Sequence, residues 1–401
     1  MDAFSDTKPI YHTPIEFKAP VIKVVGLGGG GCNAINRMIE YGMKGVEFIA
    51  CNTDLQALEG SFADVKVQLG PKSTRGLGAG GIPAVGEKAA DESFQRIADV
   101  LEGADMVFLT AGMGGGTGTG AIPVAARVSK TIGALTIAVV TTPFSFEMGK
   151  RQKNAAIGLR KLREFTHTLI TVPNDRLLDV APHDLPLEMA FKLADDVLRQ
   201  GVSGISELLT ETGLINVDFA HIRHVMQLGG GSLMSVGTAE GEDKAMKALD
   251  AALHHPLLDE IQLDTAAGII ANFSGGDDLT FSEVAQALTH LQHQAGGEAE
   301  IIPGVISDPN LSNRAQVILI VTGLGAVPIE QVIPDAEKYL SEISYQSDKN
   351  ISGKPRSREP YSSEADHGQP REETRWISRQ PVGLTSADID LPAFLRKRIE
   401  R

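Results

Sequence analysis

Two glycine clusters hold the residues best suited to chemistry. The first is GLGGGGCN, Gly26 to Asn33, which follows the apolar run VIKVV. The second is AGMGGGTGTG, residues 111–120, which follows DMVFLT and contains six glycines, two threonines and no lysine. Glycine costs backbone entropy when it is ordered, so a loop this rich in it must need main chain without side chains. Bare backbone lets N–H groups approach an anion, and a following helix N-terminus adds a favourable dipole. The first cluster satisfies G-x-G-x-x-G at Gly26, Gly28 and Gly31, a weak dinucleotide signal by itself. Its alternative reading is a tight strand-to-helix turn, but four consecutive glycines exceed what a turn needs. In the second, Thr117 and Thr119 add hydroxyl donors. Neither cluster is G-x-x-x-x-G-K-[ST]. Two such loops at adjacent strand ends suggest a nucleoside triphosphate held along its length at the C-terminal edge of a sheet.

The elements that must position these loops read as alternating strands and helices. VIKVVGL, VEFIACNTD, ADVKVQLG, DMVFLTA, ALTIAVVTTPF and HTLITVPND read as strands; NAINRMIEYG, VGEKAADESFQRIADVLEG and IPVAARVSKTIG read as helices. Apolar strands separated by helices predict a parallel sheet covered on both faces. From Pro186 to Thr212 the apolar residues Met189, Leu193, Val197, Leu198, Val202, Ile205, Leu208 and Leu209 repeat at helical spacing, which predicts a long central helix. A second α/β unit follows: helix DFAHIRHVMQL, a strand around SLMSVGTA, helix EDKAMKALDAALHHP, strand AAGIIANFSGG, helix FSEVAQALTHLQHQ, and strands EIIPGVI and QVILIVTGL. The expected division is a polar arm at 1–19, a nucleotide domain at 20–186, the central helix at 187–212, a smaller α+β domain at 213–340, a charged Pro/Ser-rich linker at 341–383 and an end peptide at 384–401. The linker's composition predicts disorder. Apolar and basic residues return in TSADIDLPAFLRKRIER, which reads as a docking peptide or, alternatively, an inert terminus.

The net charge of −14 argues against nucleic acid or an anionic membrane as main partner. Two cysteines form no disulfide framework and suit a reducing cytosol. No apolar h-region opens the chain, and no apolar run approaches the ~18 residues of a membrane span. His290 and His293 share helical spacing without companion ligands and read as an exposed helix face rather than a metal site.

Taken with the motifs around it, GGGTGTG resembles the signature of the FtsZ family, bacterial relatives of tubulin. GLGGGGCNAINRM, the NTD after the second strand, TRGLGAGGIPAVG, TTPFSFE, VPND, ADDVLRQGVSGIS and GLINVDFAHI follow in that family's order over residues 21–325. The resemblance implies a tubulin/FtsZ-like two-domain α/β fold, with a Rossmann-like parallel-sheet GTPase domain, a central helix, a smaller α+β C-terminal domain, and a disordered linker and tail peptide. It implies GTP or GDP with Mg2+ carried by the nucleotide rather than by a metal site of one chain. By the same resemblance, Gly29, Gly30, Gly31, Cys32 and Asn33, with Gly116, Thr117 and Gly118, would hold phosphates, and Gly114 and Gly115 would belong to the GTP-binding loop. Asp54, Ala79, Gly80 and Gly81 would lie near the phosphate end. Glu147 and Arg151 would contact the ribose, where Met148 stands in place of the family's glycine, and Thr142 and Pro143 would belong to the same GTP site. Asn174, Phe191 and Asp195 would read and stack on guanine; a carboxylate suits the N1–H and N2–H₂ edge because it only accepts.

The resemblance further implies head-to-tail self-assembly in the cytoplasm at the division site, with GTP hydrolysed where Asn216, Asp218 and residue 221 enter the next subunit's pocket. The family's usual form is N-x-D-F-A-D; here His221 replaces the final Asp. A neutral imidazole can orient water or act as a base, whereas an imidazolium would neutralise phosphate and repel a cation. In the tubulin relatives a basic residue at this position accompanies GTP that is not hydrolysed. Slowed turnover is therefore expected, against tolerated drift with turnover intact. A scaffold working beside a second, active FtsZ is the alternative. Asp390, Leu391, Pro392, Phe394, Leu395 and Arg396 resemble the family's peptide for FtsA-like membrane-tethering proteins, with no insertion of this chain into the membrane. A Rossmann dehydrogenase reading rests on Gly26, Gly28 and Gly31 alone; the identity of the bound nucleotide separates it from the others.

Overall fold

All six residues of Ile22–Leu27 (β1) are buried, as a strand covered on both faces requires. The computed structural model describes residues 19–324 apart from 148, 179–181, 183, 211, 212, 214, 216, 230, 259–262 and 298, together with 333, 336, 339 and 340. The expected linker and docking peptide, nearly all of the arm, Asn216 and Met148 lie outside the described residues.

β1 is followed by α1 (Gly28–Glu40), β2 (Glu47–Asn52), α2 (Leu55–Glu59), β3 (Val65–Gln68), α3 (Pro83–Glu92), α4 (Phe94–Leu101), β4 (Met106–Gly112), α5 (Thr117–Thr131), β5 (Leu135–Thr142), α6 (Lys150–Arg163), β6 (Thr168–Pro173) and α7 (Asn174–Leu178). The strands run parallel in the order β3-β2-β1-β4-β5-β6. The order therefore reverses between β1 and β4, whose register pairs Gly26 with Thr110. Open parallel sheets bind ligands in the crevice at that switch point, and both glycine clusters open there.

The second half contains α8 (Leu187–Thr210), α9 (Phe219–Gln227), β7 (Gly231–Glu240), α10 (Lys244–Leu253), β8 (Gly268–Gly275), α11 (Phe281–Gln294), β9 (Glu300–Ser307) and β10 (Arg314–Thr322). Among the described residues, β7 pairs with β6 in parallel through Leu169↔Gly231 and Ile170↔Ser232. β10 is antiparallel to β7 and β8, and β9 is parallel to β8.

α1 and α8 share one face of the sheet. Ile35, Met38, Val197, Leu198, Val202 and Ile205 join a core that runs from Val24 and Phe108 to Met234 and Ile318. α3, α4, α5 and α6 cover the opposite face of the parallel strands, and α10 and α11 pack on β8 and β10. α8 reaches both halves because two of its residues are glycines. A methyl at Gly201 would stand 3.0 Å from Met234 Sδ and 3.1 Å from Val139, and one at Gly204 would stand 2.9 Å from Ile318. Mid-helix glycine costs roughly 0.5–1 kcal/mol against alanine, which the close approach of the helix to β5, β7 and β10 offsets.

Several elements differ from the sequence expectation. The helix expected over Val85–Gly103 is broken at Ser93, whose buried Oγ accepts from Gly70 N (2.9 Å). α6, absent from the sequence reading, is polar along most of its length and carries too few apolar residues to show a clear period. α1 and α5 begin inside their glycine clusters, at Gly28 and Thr117, rather than after them.

Candidate functional site

The two clusters meet through backbone. A methyl at Gly28 would lie 2.7 Å from Gly118 N, and one at Gly30 would lie 3.2 Å from Gly112 N. Gly31 faces Thr110 O, and Gly116 faces the 79–82 segment, with Ile82 N at 2.8 Å and Ala79 Cβ at 2.9 Å from its would-be methyl. Packing thus explains glycine at 28, 30, 31, 116 and 118. It does not explain Gly29 or Gly115, where an added methyl would meet nothing among the described residues within 4 Å and φ is not positive. Neither backbone conformation nor a neighbour demands glycine there; close approach of a ligand would. α1 has no side-chain cap and no acidic residue in its first turn, and α5 likewise, so their first-turn amides are free to meet an anion. Gly29, Gly30 and Asn33 are exposed on this rim.

Two side chains turn away from it. Cys32 is buried, with Sγ 3.8 Å from Gly26 O and 3.9 Å from Cys51 O, and burial pushes its thiol up to about 12. It therefore stays a protonated core residue that contributes packing. Thr119, expected as a donor, is 2% exposed, and its Oγ1 accepts from Gly114 N at 2.8 Å, which holds the loop in shape. Thr117 stays at the surface of the cleft, sharing a 2.6 Å hydroxyl contact with Thr53.

Flanking loops converge on the same edge. Asp54 caps α2 by accepting from Ala57 N (3.1 Å) and forms a bridge with Leu77. Gly80 and Gly81 are exposed at positive φ. Asn154, on the α6 that the sequence reading missed, donates to both Gly81 O (3.3 Å) and Gly114 O (3.1 Å), tying the two loops together. Arg151, one turn earlier, lies against Gly114 and pairs with Glu147 at 2.5 Å. Thr142 and Pro143 are buried at the end of β5 and Asn174 at the end of β6. Asn174 Oδ1 is buried with no hydrogen-bond partner among the described residues, and an unmet acceptor of this kind costs about 1–3 kcal/mol unless a ligand donates to it.

Phe191 stands edge-on to Phe144, with ring centroids 5.4 Å apart. One turn along α8, Asp195 pairs with Arg37 at 3.1 Å, its side chain 14% exposed. Burial pushes the Asp195 carboxyl up to about 7, against the pull of Arg37. A half-buried aromatic, an acceptor-only carboxylate and an orphaned amide oxygen suit a planar base bearing N–H donors.

Asp218 and His221 lie elsewhere. Asp218 caps α9, accepting from His221 N at 2.7 Å. From Asp195 to Thr210, α8 extends about 22 Å at 1.5 Å per residue, and Ile215 beyond it is bridged to Val305 of β9. In one chain these residues and the glycine loops therefore occupy opposite ends of α8. His221 Nε2 lies 2.6 Å from Glu300 Oε1 at the start of β9, a partner so distant along the chain that no spacing in the sequence could indicate it. Among the described residues no group of three or more His, Cys, Asp or Glu is arranged to hold a metal, and His290 pairs with Asp250 at 3.4 Å.

Comparison with known proteins agrees with this layout. Residues 21–182 match the Tubulin/FtsZ family, GTPase domain, and residues 230–325 match the FtsZ family, C-terminal domain. A solved structure of an FtsZ dimer, empty, from M. jannaschii is 46% identical, with a TM-score of 0.74 over 77% of this chain and 89% of that one. A tryptophan-to-tyrosine mutant of FtsZ from M. jannaschii gives 46% identity and a TM-score of 0.73 over 76% and 91% of the two chains. CetZ2 from Haloferax volcanii, solved as a GTPγS-bound protofilament, shares the fold at 18% identity, with a TM-score of 0.68 over 81% of this chain and 99% of that one. Two family domains matched in order, and 46% identity over most of both chains, place the protein in the FtsZ family of tubulin-like GTPases.

Proposed function

We propose that this protein binds GTP at the β1/β4 switch point and assembles head to tail into filaments, with each GTP hydrolysed at the junction between two subunits. One observation carries the two-subunit reading: the glycine loops and Asp218 stand at opposite ends of α8, so a second copy must bring them together. Contact between unlike ends is heterologous, and an unclosed rotation then builds an open filament. Support for the phosphate site comes from Gly29 and Gly115, which are glycine without a conformational or packing reason. Mg2+ would accompany the triphosphate, held mostly by phosphate oxygens and water.

In this reading Thr117 and the first-turn amides of α1 and α5 take the phosphates, while Asn174, Phe191 and Asp195 take guanine. Asp218 orients the attacking water of the neighbouring subunit. Turnover is slow, because His221 supplies an imidazole where a second carboxylate is usual. That substitution also favours a second reading, a long-lived GTP-bound scaffold assembling with a faster FtsZ. The arm, GTPase domain, central helix, C-terminal domain, linker and tail divide at 19, 186, 212, 340 and 383. The tail residues Asp390–Arg396 dock an FtsA-like tethering protein at the division site in the cytoplasm. Phosphate release measured alongside sedimentation of polymer tests the whole: GTP-dependent pelleting with turnover that rises with polymer mass is expected, and turnover independent of assembly would sink the interfacial site.

A further inference from the structure

His221 does not stand alone at the start of α9. Its Nε2 is 2.6 Å from Glu300 Oε1, and because a carboxylate only accepts, Nε2 is the donor. In the neutral ring Nδ1 is then the acceptor. His224, one turn along, places its Nε2 3.6 Å from Glu300 Oε2, outside hydrogen-bond range. The neighbouring charges point elsewhere: Asp218 is engaged by His221 N, and Arg223 Nη2 donates to Gly133 O at 3.3 Å. β9 supports this end of the chain twice, through Glu300 and through the Val305↔Ile215 bridge just before Asp218.

From this geometry we infer that Glu300 is a positioning residue for GTP hydrolysis, holding His221 in the Nε2–H tautomer with Nδ1 open to accept a proton from the attacking water. With the ring neutral, the imidazole and its carboxylate together carry one negative charge, as the single aspartate usual at position 221 would. Glu300 thereby compensates in part for the substitution at 221 and sustains the turnover that remains. The pair is roughly half exposed, with side chains 48% and 37% accessible, so in the isolated chain it biases the ring rather than locking it. The inference rests on the reading above, in which the start of α9 completes a neighbour's site.

Glu300→Gln keeps the shape of the side chain but removes the charge that fixes the tautomer. Losing a general base altogether costs a factor of ~10²–10⁴. Losing only its orienting partner takes part of that, so kcat for GTP is expected to fall on the order of 10-fold, with KM and the critical concentration for assembly unchanged. In a His221→Asp background the same change should have no effect, because the group it orients is gone. Unchanged or faster turnover in Glu300→Gln, or an equal fall in both backgrounds, would overturn the inference. If Glu300→Gln does not assemble, Glu300→Asp, which retracts the charge by one methylene, replaces it, with the same fall and the same cancellation expected. Failure of both to assemble would show a structural role and overturn it too. Asp218→Asn separates the two readings: if it leaves turnover intact, the interfacial site itself is wrong, whereas turnover lost with Asp218→Asn but indifferent to Glu300→Gln removes only the role of Glu300.

Discussion

Asp195→Asn should stabilise the nucleotide-free protein while weakening its hold on GTP. Asp195 is nearly buried against α1, and its carboxyl is pushed from 3.8 to about 7, chiefly by burial, with Arg37 3.1 Å away opposing the shift. A folded-state pKa above the unfolded one means that the folded state binds the extra proton. The penalty is therefore absent below about 3.8, grows as pH rises and is complete above about 7. At about 1.4 kcal/mol per pH unit the whole penalty is roughly 4 kcal/mol, of which somewhat over 1 kcal/mol has developed by pH 5. Asparagine imitates the neutral carboxyl, so its advantage over wild type should be greater at pH 8 than at pH 5 by roughly 2–3 kcal/mol. Urea unfolding at the two pH values, with nucleotide removed, reads that difference directly, and any fixed effect of the substitution on packing cancels. The same change replaces a charged acceptor with an amide, and hydrogen bonds to charged groups contribute about 1.5–3 kcal/mol, so GTP affinity at pH 8 should fall roughly 10- to 100-fold. A stability difference independent of pH would show that Asp195 is not held near neutrality by burial. Unchanged GTP affinity would remove it from the guanine site.

Gly29→Ala adds a methyl to open space in the first turn of α1, so thermal stability should hold or rise slightly while GTP affinity drops at least tenfold; affinity equal to wild type would place the phosphates elsewhere. His221→Asp should raise GTP turnover by about tenfold or more and shorten filament lifetime in a phosphate-release and light-scattering assay, and a wild type already as fast would end the slow-turnover reading. Deleting residues 384–401 should leave GTP-dependent pelleting intact and abolish capture by an FtsA-like partner, and loss of pelleting would refute that division of labour.

Much of this was legible in the residues. β1, β4 and β5 announce themselves as continuous apolar runs because a strand covered on both faces has no polar side to show. The glycine clusters stand out because ordering so much glycine costs entropy that close approach of other backbone or of a ligand must repay, and α8 is legible because 24 residues give its apolar face many turns over which to repeat. The order of the motifs was enough to point to the family. Other features depended on distant chain. Ser93 breaks a helix that its own neighbours favour because Gly70 N needs an acceptor. α6 shows little period, and the role of Asn154 exists only where Gly81 O and Gly114 O come together. Thr117 and Thr119 look equivalent in the sequence, yet a two-residue step on a helix rotates one into the cleft and the other into the core. His221 could be seen as a departure from a pattern, but its meaning lies in Glu300, 79 residues away, which only the folding of β9 beside α9 supplies. Local chemistry is written along the chain; which groups meet, and therefore which protons and charges they can hold, is decided by tertiary packing.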